Sequence, residues 1–395
     1  MMLIQMGYRC RGYLSGRRDS SNIYNHQHHN NNNSTNNNNN NSNSNKYLTK
    51  LALCLASLLL LLITPTLVSI VYASDGSHSS SSSASSSPQS EQRTRFTSNI
   101  LHFARTITIS SNNTGMDAAN PYMVAGKDGT IYIAWQQHVA RNNTEIMLSM
   151  SIDNGLTFTK PVNISNTEHL DENPRLAVGD DGTLYIAWQS NVDGNYEIML
   201  AQFKDGRLKT KPTNMSSNVG SSINPRLAVN NTNVYLAWQD NTIGNYEIML
   251  RVSTDNGKTF NDAINISNNT GNSVDPLLVV DGSNVYIAWR DDLSSIKERR
   301  NNIMLRVSND HGKTFSDTVN ISKSRGDAIN ASMVAVNSNL YVVWQDNSSG
   351  NYEIMFRASS NSGSSFSNAV NLSNNAGNSI EPSIVASNGS VYIAW

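Results

Sequence analysis

An all-β, six-bladed β-propeller with an incomplete sixth blade, preceded by a disordered tail and one apolar helix, is the architecture this 395-residue sequence predicts. Three observations lead there. All six Trp residues lie in one motif, at 135, 188, 238, 289, 344 and 395, with spacings of 53, 50, 51, 55 and 51 residues. A period near fifty marks a solenoid, propeller or array. The motif itself is β-branched and aromatic, as in Ile131-Tyr132-Ile133-Ala134-Trp135 and Val234-Tyr235-Leu236-Ala237-Trp238. Gly and Asn turns follow roughly every eight to twelve residues, too often for a helical repeat.

Composition narrows the classes further. Only 38% of residues are hydrophobic and 15% charged, poor material for a long helical protein. Six Trp and fifteen Tyr, clustered with Ile and Val, exclude full disorder. Residues 1–73 hold six Lys or Arg and one acid, leaving 23 bases against 29 acids in the remainder. A basic, nucleic-acid-seeking domain is therefore excluded. The two Cys residues, Cys10 and Cys54, both precede residue 74, so no disulfide staples the main domain.

Along the chain, residues 1–50 read as a disordered Asn-rich tail on the cytoplasmic side, because the tract from His26 to Asn45 has almost no apolar side chain to offset ordering entropy. Leu51 to Ala73 is an apolar stretch of 23 residues, long enough to span a bilayer core. Six basic residues precede it, which places the remainder outside the cell. The small-residue run Val71-Tyr72-Ala73 also has the form of a signal-peptidase site, so secretion is the alternative to a membrane anchor. Residues 74–98 are a Ser-rich linker, and 99–395 form the propeller. Sequons such as Asn163-Ile164-Ser165 and Asn265-Ile266-Ser267 fit an exported glycoprotein at the cell surface.

Each repeat reads as four strands. A short first strand begins near residues 121, 174, 225, 276 and 332, and a tight turn such as Asp181-Gly182 leads to the Tyr/Trp strand. A polar loop precedes a third strand such as Tyr246 to Val252, and Ala263 to Ser267 exemplifies the fourth. The sixth repeat begins at Pro382 and stops at Trp395, where every other copy continues with Gln or Arg. Arg105 to Ser110 matches the fourth-strand pattern and is expected to complete that blade. A truncated sixth blade is the expectation.

Between the third and fourth strands lies Ser151-Ile152-Asp153-Asn154-Gly155-Leu156-Thr157-Phe158, repeated around Asp255 and Gly257 and around Asp310 and Gly312. A fifth copy is weakened at Asn361 and Gly363, and the second repeat has only Lys204-Asp205-Gly206. This pattern resembles the Asp box of the sialidase (BNR-repeat) β-propeller superfamily, over roughly residues 100–395. The resemblance implies that the boxes are structural and lie opposite the functional face. It also implies an exo-glycosidase that grips a substrate carboxylate with three arginines and attacks with a Tyr/Glu pair. The Arg-Ile-Pro motif of that superfamily is missing here.

Function is sought where the copies differ. The residue after the first-strand Pro runs Tyr122, Arg175, Arg226, Leu277, with Ser332 and Ser383 in the equivalent places, and the residue after each Trp is Gln except at Arg290. Arg175, Arg226 and Arg290 are expected at one end of the propeller near its axis, where guanidiniums clamp carboxylates bidentately. The alternative is that they pair with loop acids such as Asp171, Glu172 or Asp291. Asn195-Tyr196-Glu197 resembles a nucleophile pair, but its recurrence in three repeats points to a shared loop role. The expected function is binding of glycan or a surface protein through the inter-blade loops, without catalysis. The alternatives are an exo-sialidase-like hydrolase of acidic sugars and an architectural envelope protein. No cofactor, no nucleic acid partner and no metal is expected, since no copy has the spaced oxygens of a calcium loop. The chain is expected to be monomeric.

Overall fold

The computed structural model describes residues 106–110, 117–192, 194–292, 300–387 and 389–395, and every regular element among them is a strand. The readings made for the tail, the apolar stretch at 51–73 and the linker lie outside the described residues. Among the described residues no helix is long and apolar enough to cross a membrane.

The strands form successive antiparallel sheets in a four-stranded meander. The third sheet, Ser222–Asn230, Asn233–Asp240, Glu247–Ser253 and Ile264–Asn265, is typical. Sheets begun by Ala118–Ala125, Ser273–Asp281 and Ala328–Val336 repeat it, and the second, begun by Asp171–Val178, adds the small strand Arg207–Leu208. The sixth has two strands, Ser383–Ser387 and Ser390–Ala394. First strands of successive sheets pack side by side in chain order, the arrangement of a β-propeller.

The second strand is apolar without alternation because both of its faces are covered. Val234, Tyr235, Leu236, Ala237 and Trp238 are all at most 1% exposed. Tyr and Ala of one sheet face Val, Leu and Trp of the next: Tyr185 and Ala187 cluster with Val234, Leu236 and Trp238, and Tyr235 and Ala237 with Val285, Ile287 and Trp289. The core is thus a series of interfaces between sheets. Where a sheet carries an Asp box, its Phe packs against the interface, as Phe260 and Phe315 do.

Three sequence expectations need correction. The first strands begin three or four residues before the expected positions, at Ala118, Asp171, Ser222, Ser273 and Ala328. In each, a β-bulge interrupts the ladder just where the strand was expected to start, as between Ile223 and Arg226. The bulge residues Asn120, Asn173, Asn224, Asp275 and Asn330 lie in the left-handed region, at φ of 49–56°. Asn and Asp tolerate that region better than other side chains. The fourth strands pair over only two residues, and two positions further on the Ser hydroxyl takes a third-strand N–H, as Ser267 Oγ does from Ile248. Finally, Thr106–Ser110 forms no strand. Ile109 is nevertheless buried with Ile133 and Trp135, as Ile164 is with Ile186 and Trp188.

Candidate functional site

The two ends of the sheets have different chemistry. At the end carrying the first hairpin turn, the Asp boxes are a closed hydrogen-bond system. Asp255 Oδ1 accepts from Thr259 N–H at 2.9 Å and from Ser253 Oγ at 2.7 Å, and Oδ2 accepts from Thr259 Oγ1 at 2.7 Å. Asp153 and Asp310 repeat this set. The hydroxyl and amide of Thr157 hold the Asp153 carboxyl down at about 2. Gly257 is at φ 71°, and a Cβ there would come within 2.8 Å of the Tyr185 ring of the preceding sheet. Tyr185 donates to the Asn256 carbonyl at 2.9 Å, so this box also joins neighbouring sheets. These carboxylates are committed to structure.

The buried glutamates are equally committed. Glu247 accepts from Ser267 Oγ, from Asn269 N–H at 3.1 Å and from Asn245 Nδ2 at 2.7 Å. Glu197 and Glu353 do the same with their own turns, Glu145 accepts from Ser165 Oγ and Thr167 N–H without an Asn donor, and Asn302 takes the place in the fourth sheet. The Asn-Tyr-Glu motif therefore serves a shared loop. The same geometry explains the recurring sequons. Ser165, Ser216, Ser267 and Ser322 each accept a third-strand N–H, while Asn163, Asn214, Asn265 and Asn320 cap the following turn. Recurrence of Asn-x-Ser follows from the fold.

The opposite end carries the bulges, and there the sequence-predicted site residues form one array across four adjacent sheets. The Arg175 guanidinium carbon sits 5.1 Å from the Tyr122 ring centroid, a cation–π contact. Arg226 is partly buried and donates Nη1 to the Pro225 carbonyl at 3.0 Å. Burial, then the charge of Arg175, push its guanidinium down to about 10, so it remains a cation at neutral pH. Arg290 differs from both. Its Nε donates to Asp275 Oδ2 at 2.9 Å, its Nη2 lies 2.8 Å from the same oxygen, and Nη1 donates to Asn301 Oδ1 at 2.8 Å. The three guanidiniums therefore do not form an equivalent clamp: Arg290 is neutralised by Asp275, a partner not among the loop acids considered from sequence. Arg226, Asp275 and Arg290 line a cleft of about 210 Å³ with Leu277, Asn330 and Ala331.

One feature escaped sequence reasoning. The glutamines behind the Trp residues are ties between sheets. Oε1 of Gln136, Gln189, Gln239 and Gln345 accepts the bulge N–H of the next sheet, at Asn173 (3.2 Å), Asn224 (3.0 Å), Asp275 (3.0 Å) and Glu381 (2.9 Å). Glu172, one of the loop acids considered from sequence, is distinctive among its equivalents. It stands in a column otherwise made of Ala119, Ile223, Val274, Ile329 and Ile380. Its Oε2 accepts from Tyr196 Oη at 3.2 Å and from Gln189 Nε2 at 3.3 Å. Column comparison finds Glu172 once the bulge sets the alignment. Of the other acids near this end, Asp171 is fully buried and accepts from Trp188 Nε1 and Thr167 Oγ1. Asp240 accepts from Thr242 N–H and Ser222 Oγ. Among the described residues no three His, Cys, Asp or Glu side chains gather as a metal site.

Comparison with known proteins accords with this architecture. The chain shares 16% identity with a Dyadobacter fermentans protein of unknown function, with a TM-score of 0.48 over 70% of this chain and 90% of that one. With an α-L-arabinofuranosidase of Fusarium graminearum the values are 14%, 0.47, 69% and 85%. With the NanB sialidase of Streptococcus pneumoniae they are 11%, 0.41, 68% and 63%. No curated protein matches at a significant level. The model of the BNR repeat-like domain matches residues 89–393, and with its Asp boxes and four-stranded sheets the chain belongs to that family of sialidase-like β-propellers.

Proposed function

We propose that this protein is displayed outside the cell and binds acidic glycans at the bulge end of the propeller. In this reading Arg175 and Arg226 donate to a ligand carboxylate and Tyr122 flanks it. The observation that carries the proposal is Arg226. It is a desolvated cation beside a second cation, makes no ion pair among the described residues, and feels the charge of an Asp275 already taken by Arg290. Guanidiniums brought together in this way repel one another unless an anion joins them, and a carboxylate suits their planar donors. A glycan array probed with the full-length chain tests this. Retention is expected on uronic-acid and sialic-acid glycans, and uniform silence would favour an architectural role.

Hydrolysis of acidic sugars is the second reading, and Glu172 favours it. A carboxylate within hydrogen-bond distance of Tyr196 Oη, on the strand that carries Arg175, has the composition of a nucleophile and its base. Release of fluorophore from a fluorogenic sialoside, lost on Tyr196→Phe, would establish catalysis. Binding without release leaves the lectin-like reading.

A further inference from the structure

The repeat breaks its own rule at one junction. In the first, third and fifth sheets the bulge Asn donates Nδ2 to the Gln behind the Trp: Asn120 to Gln136, Asn224 to Gln239, and Asn330 to Gln345. In the fourth sheet this Asn/Gln pair is replaced by Asp275 and Arg290. The exchange preserves attraction within the sheet but abolishes the tie to the next one, because a guanidinium has donors and no acceptor. Among the described residues Asn330, the next bulge residue, therefore receives no side-chain oxygen from the fourth sheet. At this junction lies the cleft of about 210 Å³.

The walls of the cleft specify its ligand. Asp275 Oδ2 takes both contacts from Arg290, and Oδ1 has no partner among the described residues. The Asp275 side chain is 53% exposed, so that oxygen is accessible. Arg226 supplies donors on one side, while Leu277 and Ala331 contribute apolar surface. A carboxylate is repelled by Asp275 and an ammonium by the two arginines. A neutral group that both donates and accepts satisfies all of them. The volume is below the about 300–1,000 Å³ of pockets that enclose drug-sized ligands, which suits a single ring.

We propose that the cleft between the fourth and fifth sheets binds the vicinal hydroxyls of one sugar ring, which donate to Asp275 Oδ1 and accept from Arg226. The inference rests on the glycan-binding reading and assigns a neutral subsite beside the carboxylate-binding arginines. The double variant Asp275→Asn/Arg290→Gln rebuilds the Asn/Gln pair of the other sheets and restores the tie. The full-length chain and this variant are titrated calorimetrically with trigalacturonate and with its carboxyl-reduced, neutral counterpart. The wild type is expected to bind both, the neutral form more weakly. The variant is expected to keep or raise Tm and to lose about tenfold or more in affinity for the neutral probe, the loss of one or two hydrogen bonds. Ala331→Leu, which fills the cleft and leaves the ion pair in place, is expected to show the same loss and serves should the double variant fold poorly. Unchanged affinity in the variants, or wild-type binding of trigalacturonate alone, overturns the subsite and leaves the acidic-glycan reading standing. Binding of neither probe by the wild type overturns both.

Discussion

Asp153, Asp255 and Asp310 are partly exposed carboxylates, yet all are held below the ordinary aspartate value of 3.8 by the hydroxyl and amide of the Thr four residues on. A carboxyl depressed in the folded state stabilises the fold wherever its unfolded counterpart would already be ionised. That contribution is complete above about pH 4 to 5 and disappears as pH falls toward 2. Thermal melts across pH 2 to 6 are expected to show Tm falling through this window. The triple Asp→Asn variant is expected to flatten the profile. Asn361 shows that Asn fits the box, since its Oδ1 accepts the Ser365 N–H at 2.9 Å. An unaltered pH profile in that variant contradicts the assignment. The tryptophans offer a second residue-scale test. Trp289 Nε1 donates to Asp291 at 3.1 Å, whereas Trp238 Nε1 is buried with no partner among the described residues. Both rings are about 1% exposed. Trp238→Phe removes a donor with no partner among the described residues, whereas Trp289→Phe removes one of the bonds to Asp291 Oδ2, which also accepts from Asn269 Nδ2 and Ser273 Oγ. Urea unfolding is expected to show the second variant less stable than the first by about 1–3 kcal/mol. Equal losses would mean that the N–H bonds do not matter.

At the scale of the element, the bulge organises the functional end. It places Arg175, Arg226 and Leu277 two positions beyond a left-handed residue and aims that residue's N–H at the neighbouring sheet. Asn224→Val places a β-branched residue at φ 55° and removes the bond to Gln239. A loss of about 2–3 kcal/mol is expected from strain plus the hydrogen bond, measured by chemical denaturation. A loss below about 0.5 kcal/mol would show that the bulge relaxes without cost. The same element marks what was legible in the sequence. The Tyr/Trp strands were readable because their burial on both faces leaves an unbroken apolar run. The Asp boxes were readable because their bonds close within four residues. The bulge was not, because Asn-Pro reads equally as a strand start. The glutamine ties and the Asp275–Arg290 exchange were invisible because each joins residues of separate strands or sheets, beyond any local pattern. The Arg columns were found from sequence, but only side-chain geometry shows that Arg290 is ion-paired while Arg226 has no ion pair among the described residues.

For the whole molecule, stability resides in interfaces between sheets: Trp on Tyr and Ala in the core, Asp box on Tyr at one end, Gln on bulge at the other. Four of these ties at the bulge end are made by glutamine, and the fourth sheet gives its tie up for an ion pair bordering a cleft. Relaxation of the structural rule coincides with the array of Tyr122, Arg175, Arg226 and Arg290, the expected location for function. The central claim is that Arg175 and Arg226 hold a ligand carboxylate. Calorimetric titration of the full-length chain with trigalacturonate, before and after Arg175→Ala/Arg226→Ala, tests it most directly. Affinity is expected to fall at least about a hundredfold, the loss of two charge-assisted hydrogen-bonding groups, with Tm little changed. Equal affinity in the wild type and the double variant would contradict it.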